Sequence, residues 1–127
     1  MSPLAILLVL KIGVTLLAVS GPFLLLPKTT IDALSGYGGT PKVLYRLYGM
    51  AVTALLVGYG GGLYVALNGD MPWGVIAMGI TSNAGATGVL IITGEARKRP
   101  ALTAFFGLIA LGLVIAVAMP QWVIKPL

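Results

Sequence analysis

Four long apolar runs divide the chain, and the short segments between them hold nearly all of its charge, proline and asparagine. An apolar run of about 20 residues is what a helix needs to cross the hydrocarbon core of a bilayer. The pattern predicts four spans, at about 4–26, 43–67, 73–93 and 101–119. Pro3 opens the first and Pro27 closes it. The polar turn "NGDMP" separates the second from the third, and "GEARKRP" leads into the fourth, with Pro100 suited to a first helical turn. Only the first connection, "PKTTIDALSGYGGTPK", is long. Within it Thr29 and Asp32 have the spacing of a helix-start box, so "TTIDAL" is expected to form one turn in the membrane interface before the glycines break it. The expectation is an all-α integral membrane protein, one transmembrane domain over 1–127 folded as a compact four-helix bundle with short loops. The first run is read as a span and not a cleaved leader, because no basic residue precedes it and its length suffices to cross.

Composition strengthens this picture and narrows the chemistry. With 58% hydrophobic and 9% charged residues, the chain is too apolar for a soluble domain of 127 residues. It has no cysteine and no histidine, which removes disulfides, thiolate chemistry, imidazole catalysis and His-ligated metal or haem. Its three carboxylates, Asp32, Asp70 and Glu95, all fall in connections, so neither a metal cage nor a carboxylate proton relay is expected inside the membrane. The reading is a protein that is not an enzyme and has no covalent or metal cofactor.

Charge sets the expected topology. With four spans, the first and third connections share a side, and six of the eight basic residues (Lys28, Lys42, Arg46, Arg97, Lys98 and Arg99) flank or occupy them. The positive-inside rule then places 27–42 and 94–100 in the cytoplasm and both termini on the outer, periplasmic side of a bacterial inner membrane, cytoplasmic or intracytoplasmic. Trp73, Tyr64 and Trp122 fall near the outer interface and Tyr37, Tyr45 and Tyr48 near the inner one, as aromatic belts do. In this setting the net charge of +5 calls for anionic lipid headgroups and not nucleic acid.

Within the second span, "LVGYGGGLY" contains four letters of the potassium-channel filter signature. Leu56 stands where that signature has threonine and Gly61 where an acidic residue commonly follows, and a re-entrant loop would undo the charge asymmetry. A dinucleotide fingerprint also fails, since its third glycine falls on Leu63 with no strand before it. Read as a helix, Ala54, Gly58, Gly62 and Ala66 form a small-residue ridge at steps of four, with Gly61 beside it. The third span carries two more small stripes, Ala77, Thr81, Gly85 and Gly79, Asn83, Thr87. Such faces let helices approach closely where lipid supplies little drive for association. Asn83 and Thr87 are polar at membrane depth, and Asn83 is expected to hydrogen-bond a neighbouring helix. Lys11, the one charge well inside a span, is expected to reach back toward the outer end of its helix and Asp70.

These features favour a non-catalytic accessory or scaffold subunit of a larger, energy-transducing membrane complex, photosynthetic core or respiratory. Its partners would be membrane lipids and other transmembrane subunits, with lipid, quinone or carotenoid bound by apolar contact. The alternative is a small four-helix transporter or channel working as a homo-oligomer. Small exporters of cationic drugs need a carboxylate in the first span where this chain has Lys11, and small dual-topology fluoride channels go with a weak charge bias where this one is strong.

Overall fold

Helix α1 spans Pro3–Leu25 in a computed structural model that describes residues 1–127. The Ser2 hydroxyl starts it by accepting the Ala5 N–H at 3.2 Å, meeting one of the donors that a helix start leaves open. Over Leu16–Ser20 the helix widens to a π turn, in which the Gly21 N–H reaches the Leu16 carbonyl. Pro22 has no N–H to return to the fourth carbonyl before it, so the regular ladder is already interrupted here. A Cβ at Gly21 would lie 2.9 Å from the Leu16 carbonyl oxygen, which is why the wide turn closes on a glycine.

Helix α2, Lys28–Ser35, ends at Gly36, where φ is 76° and the amide bonds back to the Asp32 carbonyl. That left-handed cap suits glycine, which lacks the Cβ that makes it costly. Three further long helices follow, α3 over Lys42–Leu67, α4 over Trp73–Ile92 and α5 over Pro100–Ala118, and then the short α6 over Pro120–Val123. There are no strands. α1, α3, α4 and α5 are each long and apolar enough to cross a membrane, and their bounds fall within one residue of those expected from the hydropathy pattern. Four candidate spans of this length suggest a multi-pass membrane protein.

Contacts group the chain into two compact units, one of Leu10–Gly60 and one of Met1–Val9 with Gly61–Leu127. Within the first, the end of α1 is fastened to the start of α3. The Arg46 guanidinium donates to the Phe23 and Leu26 carbonyls, both at 2.8 Å, satisfying acceptors that the end of α1 leaves open. Phe23 meets Tyr45 and Tyr48 edge-on, with ring centroids 5.4 and 5.2 Å apart. Gly49 is the close approach: a Cβ there would lie 3.0 Å from the Leu24 side chain and 3.1 Å from Phe23.

In the second unit α4 packs along α5. Ile76, Gly79 and Asn83 of α4 are buried, as are Ile109, Ala110, Leu113 and Ala116 of α5. Leu4, Ala5 and Leu8 from the first turns of α1 join this core. Small residues again allow contact: a Cβ at Gly112 would lie 3.0 Å from Leu7, and one at Gly62 would lie 2.7 Å from Val75 Cγ1.

Candidate functional site

Polar side chains at membrane depth are costly unless they serve packing or binding, so they mark where function is sought. Three lie buried along α1: Lys11, Thr15 and Ser20, with 4%, 6% and 1% of their surface exposed. Lys11 and Thr15 are four residues apart and share a helix face. Lys11 Nζ stands 5.9 Å from the ring centroid of Tyr59, itself buried on α3. The ammonium thus faces an aromatic ring, which attracts a cation through its quadrupole, and the side chain is buried where the sequence led us to expect it to snorkel outward.

Beyond the π turn, the Ser20 hydroxyl lies 2.6 Å from Thr53 Oγ1, and Thr53 donates to the Gly49 carbonyl at 2.7 Å. With the Thr53 proton so used, Ser20 is the donor to Thr53. Thr15 behaves differently. Its Oγ1 is buried and has no hydrogen-bond partner. Thr53, Thr81, Thr87 and Thr103 each donate to the carbonyl four residues back, the usual outlet for a helical threonine.

A second polar cluster holds the first connection. Lys28 Nζ pairs with Asp32 Oδ2 at 2.6 Å. Tyr45 Oη lies 2.6 Å from Asp32 Oδ1 and 3.0 Å from the Tyr37 carbonyl, and its one proton goes to the carboxylate, the stronger acceptor. Ser35 Oγ stands 3.4 Å from the same hydroxyl and accepts the Tyr37 N–H at 3.2 Å. The Lys28 ammonium first, and then the Tyr45 hydroxyl, hold the Asp32 carboxyl below its ordinary range. The expected helix-start box is therefore not what Asp32 does: α2 begins at Lys28, Pro27 precedes it without a side-chain cap, and the carboxylate turns to Lys28 and Tyr45.

The remaining basic residues divide by role. Arg46 is spent on the carbonyls of α1. Lys98 and Arg99 pair with Glu95 at 3.2 and 3.5 Å. Lys42 and Arg97 are exposed.

The small-residue faces also divide. On α3, Gly62 and Ala66 are buried and Gly58 is half-buried, while Ala54 and Gly61 are exposed. Steps of four overshoot the helical repeat by about 40° each, so a ridge four residues long winds through roughly 120° and cannot stay on one face. The buried positions are Tyr45, Gly49, Val52, Leu56, Tyr59, Gly62 and Ala66, a repeat of about 3.5 residues, as in a packed helical seam. On α4, Gly79 and Asn83 are buried and Thr87 half-buried. Asn83 Nδ2 donates to the Gly79 carbonyl at 2.7 Å, and a Cβ at Gly107 of α5 would lie 3.8 Å from Thr87 Cγ2. The other α4 stripe, Ala77, Thr81 and Gly85, is exposed along its whole length. Nothing in the chain lies within 4 Å of where a Cβ would stand at Gly74, Gly85 or Gly88.

Sequence reasoning missed Thr15, Tyr59 and the Ser20–Thr53 pair. A signal existed for the first, a threonine four residues after the lone membrane lysine; none pointed to Tyr59 in particular. Comparison of the chain with protein-family models, curated proteins and solved structures finds no match.

Proposed function

We infer that the chain is a non-catalytic accessory subunit of a larger membrane assembly and offers the open face of α4 to a helix of a neighbouring subunit. The observation that carries this reading is the contrast between the two small faces of one helix. Gly79 and Asn83 are buried within the chain, while Ala77, Thr81 and Gly85 are exposed, with open space over Gly74, Gly85 and Gly88. A face of this kind gains little from lipid, whose flexible tails pack poorly against a smooth surface, and gains contact from a second backbone. Energy-transducing complexes, respiratory or photosynthetic, are the hosts we favour on class grounds. The chain would sit in a bacterial inner membrane with the connections around Lys28 and Arg97 in the cytoplasm and both termini outside, as the distribution of basic residues supports. Exposed Lys42 and Arg97 would meet anionic headgroups there, and quinone, carotenoid or lipid would fill apolar gaps.

The test is purification of a tagged copy, expressed at native abundance, in mild detergent. Stoichiometric recovery with a large complex is expected. Recovery as a lone monomer would overturn the reading, and recovery as a homodimer would favour the small transporter or channel, for which buried Lys11 is the supporting feature.

A further inference from the structure

We propose that the wide turn of α1 is a contact for a transmembrane helix of a neighbouring subunit, one that brings a neutral hydrogen-bond donor, a hydroxyl or a carboxamide, to the Leu17 carbonyl. The observation is a count of main-chain donors. At the wide turn the Gly21 N–H goes to the Leu16 carbonyl and so passes over Leu17, its acceptor in a regular helix. Pro22, the next residue that a wide turn would aim at Leu17, has no N–H. Beyond it, the regular turns of Gly21–Leu25 spend the Leu24 and Leu25 amides on Ser20 and Gly21, and Leu26 bonds to Pro22. Only the Phe23 N–H remains, six residues past Leu17 and too far along the helix to reach it. The Leu17 carbonyl therefore has no main-chain donor. The polar side chains around it do not substitute: the Thr15 hydroxyl makes no hydrogen bond, Ser20 donates to Thr53, and Arg46 takes the Phe23 and Leu26 carbonyls.

The turn is held open by what it does for the buried face of α1. Ser20 is five residues beyond Thr15, which in a regular helix would turn it about 140° away from that residue. The wide turn brings it back, so that Thr15 and Ser20 are both buried and Ser20 meets Thr53 of α3. Closing to a regular helix would serve Leu17 and break that bond. Leu17 is 79% exposed, on the side of α1 that lipid would otherwise cover, and hydrocarbon offers no donor to an open carbonyl. It stands eight residues before the end of the span at Leu25, about 12 Å deep, which removes it from headgroups. A cation would need several more oxygens than this turn presents, and a charged side chain is costly at such depth. Ser, Thr, Asn and Gln are the residues that bond across helices there. The contact rests on the reading of the chain as a subunit of a larger assembly and adds α1 to the face offered by α4.

The experiment uses the full chain in native membranes at native abundance, with Leu17→Cys as the only cysteine and Pro22→Ala added to it. Leu17→Cys keeps the carbonyl and changes only an exposed side chain, whereas Pro22→Ala supplies the missing N–H, to Leu17 directly or by letting the turn close. Leu17→Cys is expected to be shielded from a lipid-dissolved maleimide and joined by a bifunctional reagent to one other membrane protein. Adding Pro22→Ala is expected to lower that cross-link about fivefold, while purified Pro22→Ala unfolds on heating no earlier than wild type. Equal cross-linking with and without Pro22→Ala overturns the proposal, as does earlier unfolding of Pro22→Ala. Free labelling of Leu17→Cys, to the level of a cysteine at lipid-facing Leu108, overturns it outright. If the tagged chain still co-purifies with a complex in that case, the accessory-subunit reading stands and this contact alone falls; if nothing co-purifies, both fall.

Discussion

Adding one methyl group at Gly62 and at Gly61 should have opposite consequences, although the two glycines are neighbours on α3. A Cβ at Gly62 would stand 2.7 Å from Val75 Cγ1, 2.9 Å from Val75 Cβ and 3.0 Å from Cγ2, all inside the 3.4 Å at which ordinary contact begins. The closest of these is about 0.7 Å too near, and the obstacle is a β-branched side chain with little rotamer freedom in a helix. The start of α4 must therefore move away from α3, and overpacking of this kind costs about 1–3 kcal/mol. Gly61 has nothing within 4 Å, so Gly61→Ala meets no resistance and gains up to about 1 kcal/mol of helix propensity. The two variants should differ by about 1–3 kcal/mol, or roughly 5- to 150-fold in the unfolding equilibrium. Reversible unfolding by SDS in mixed micelles, followed through the fluorescence of Trp73 and Trp122, reads this directly. Because Val75 Cβ is itself within 3.0 Å, Val75→Ala should rescue Gly62→Ala only in part, whereas Val75→Gly should show the larger coupling in a double-mutant cycle. Equal stability of the two alanine variants, or costs at Gly62 and Val75 that simply add, would refute the close-approach argument.

Other outcomes follow from the same geometry. Arg46→Met should destabilise by about 2–4 kcal/mol by stranding the Phe23 and Leu26 carbonyls, and Arg46→Lys should recover only part because an ammonium cannot fork to both; the same SDS titration measures it, and full recovery by lysine would count against the two-pronged cap. The Asp32 carboxyl is held below its ordinary range, so the stability it contributes is present above the unfolded-state value, near pH 4, and is lost as pH falls through the folded value. Hydrogen-exchange protection across Lys28–Tyr45, taken relative to the intrinsic rate at each pH, should therefore be high at neutral pH and fall in acid, and Tyr45→Phe should move that onset to higher pH; an unchanged profile would show that the Tyr45 bond is not what holds the connection. On α4, Gly79→Leu should unfold or loosen the chain, since Gly79 is buried, whereas Gly85→Leu should leave the isolated protein's stability unchanged and weaken its association. Loss of stability in Gly85→Leu would mean that this face is covered within the chain.

The spans were legible in the sequence because an apolar run long enough to cross a bilayer is its own signal, and proline and charge mark its ends. Which face of each span turns inward was not. In a soluble helix the apolar stripe identifies the buried side, but lipid-facing positions are as apolar as core positions, so Leu17 at 79% exposed and Leu8 at 1% look alike in the sequence. Small residues were the remaining guide, and they are ambiguous: the stripe through Gly79 is buried while the one through Ala77 is exposed. The step-four ridge on α3 shows the same limit, since the winding that separates Ala54 from Ala66 is a property of the helix and not of the letters. Lys11 and Asn83 were visible as polar residues at membrane depth. Lys11 is buried with the Tyr59 ring across from it, 48 residues along the chain, and the pairing of Asp32 with Tyr45 joins residues 13 apart. Tertiary placements of this kind leave no local trace.

The absence of native cysteine makes the central claim directly testable, because single cysteines can be placed at Ala77, Thr81 and Gly85 on α4 and, as a lipid-facing control, at Leu108 of α5, which is 65% exposed. In native membranes at native abundance, the three α4 positions should be shielded from a lipid-dissolved maleimide and joined by a bifunctional reagent to one other membrane protein, while Leu108→Cys is labelled freely. If all four positions label alike and none forms that cross-link, the open face of α4 meets only lipid, and the accessory-subunit account is contradicted.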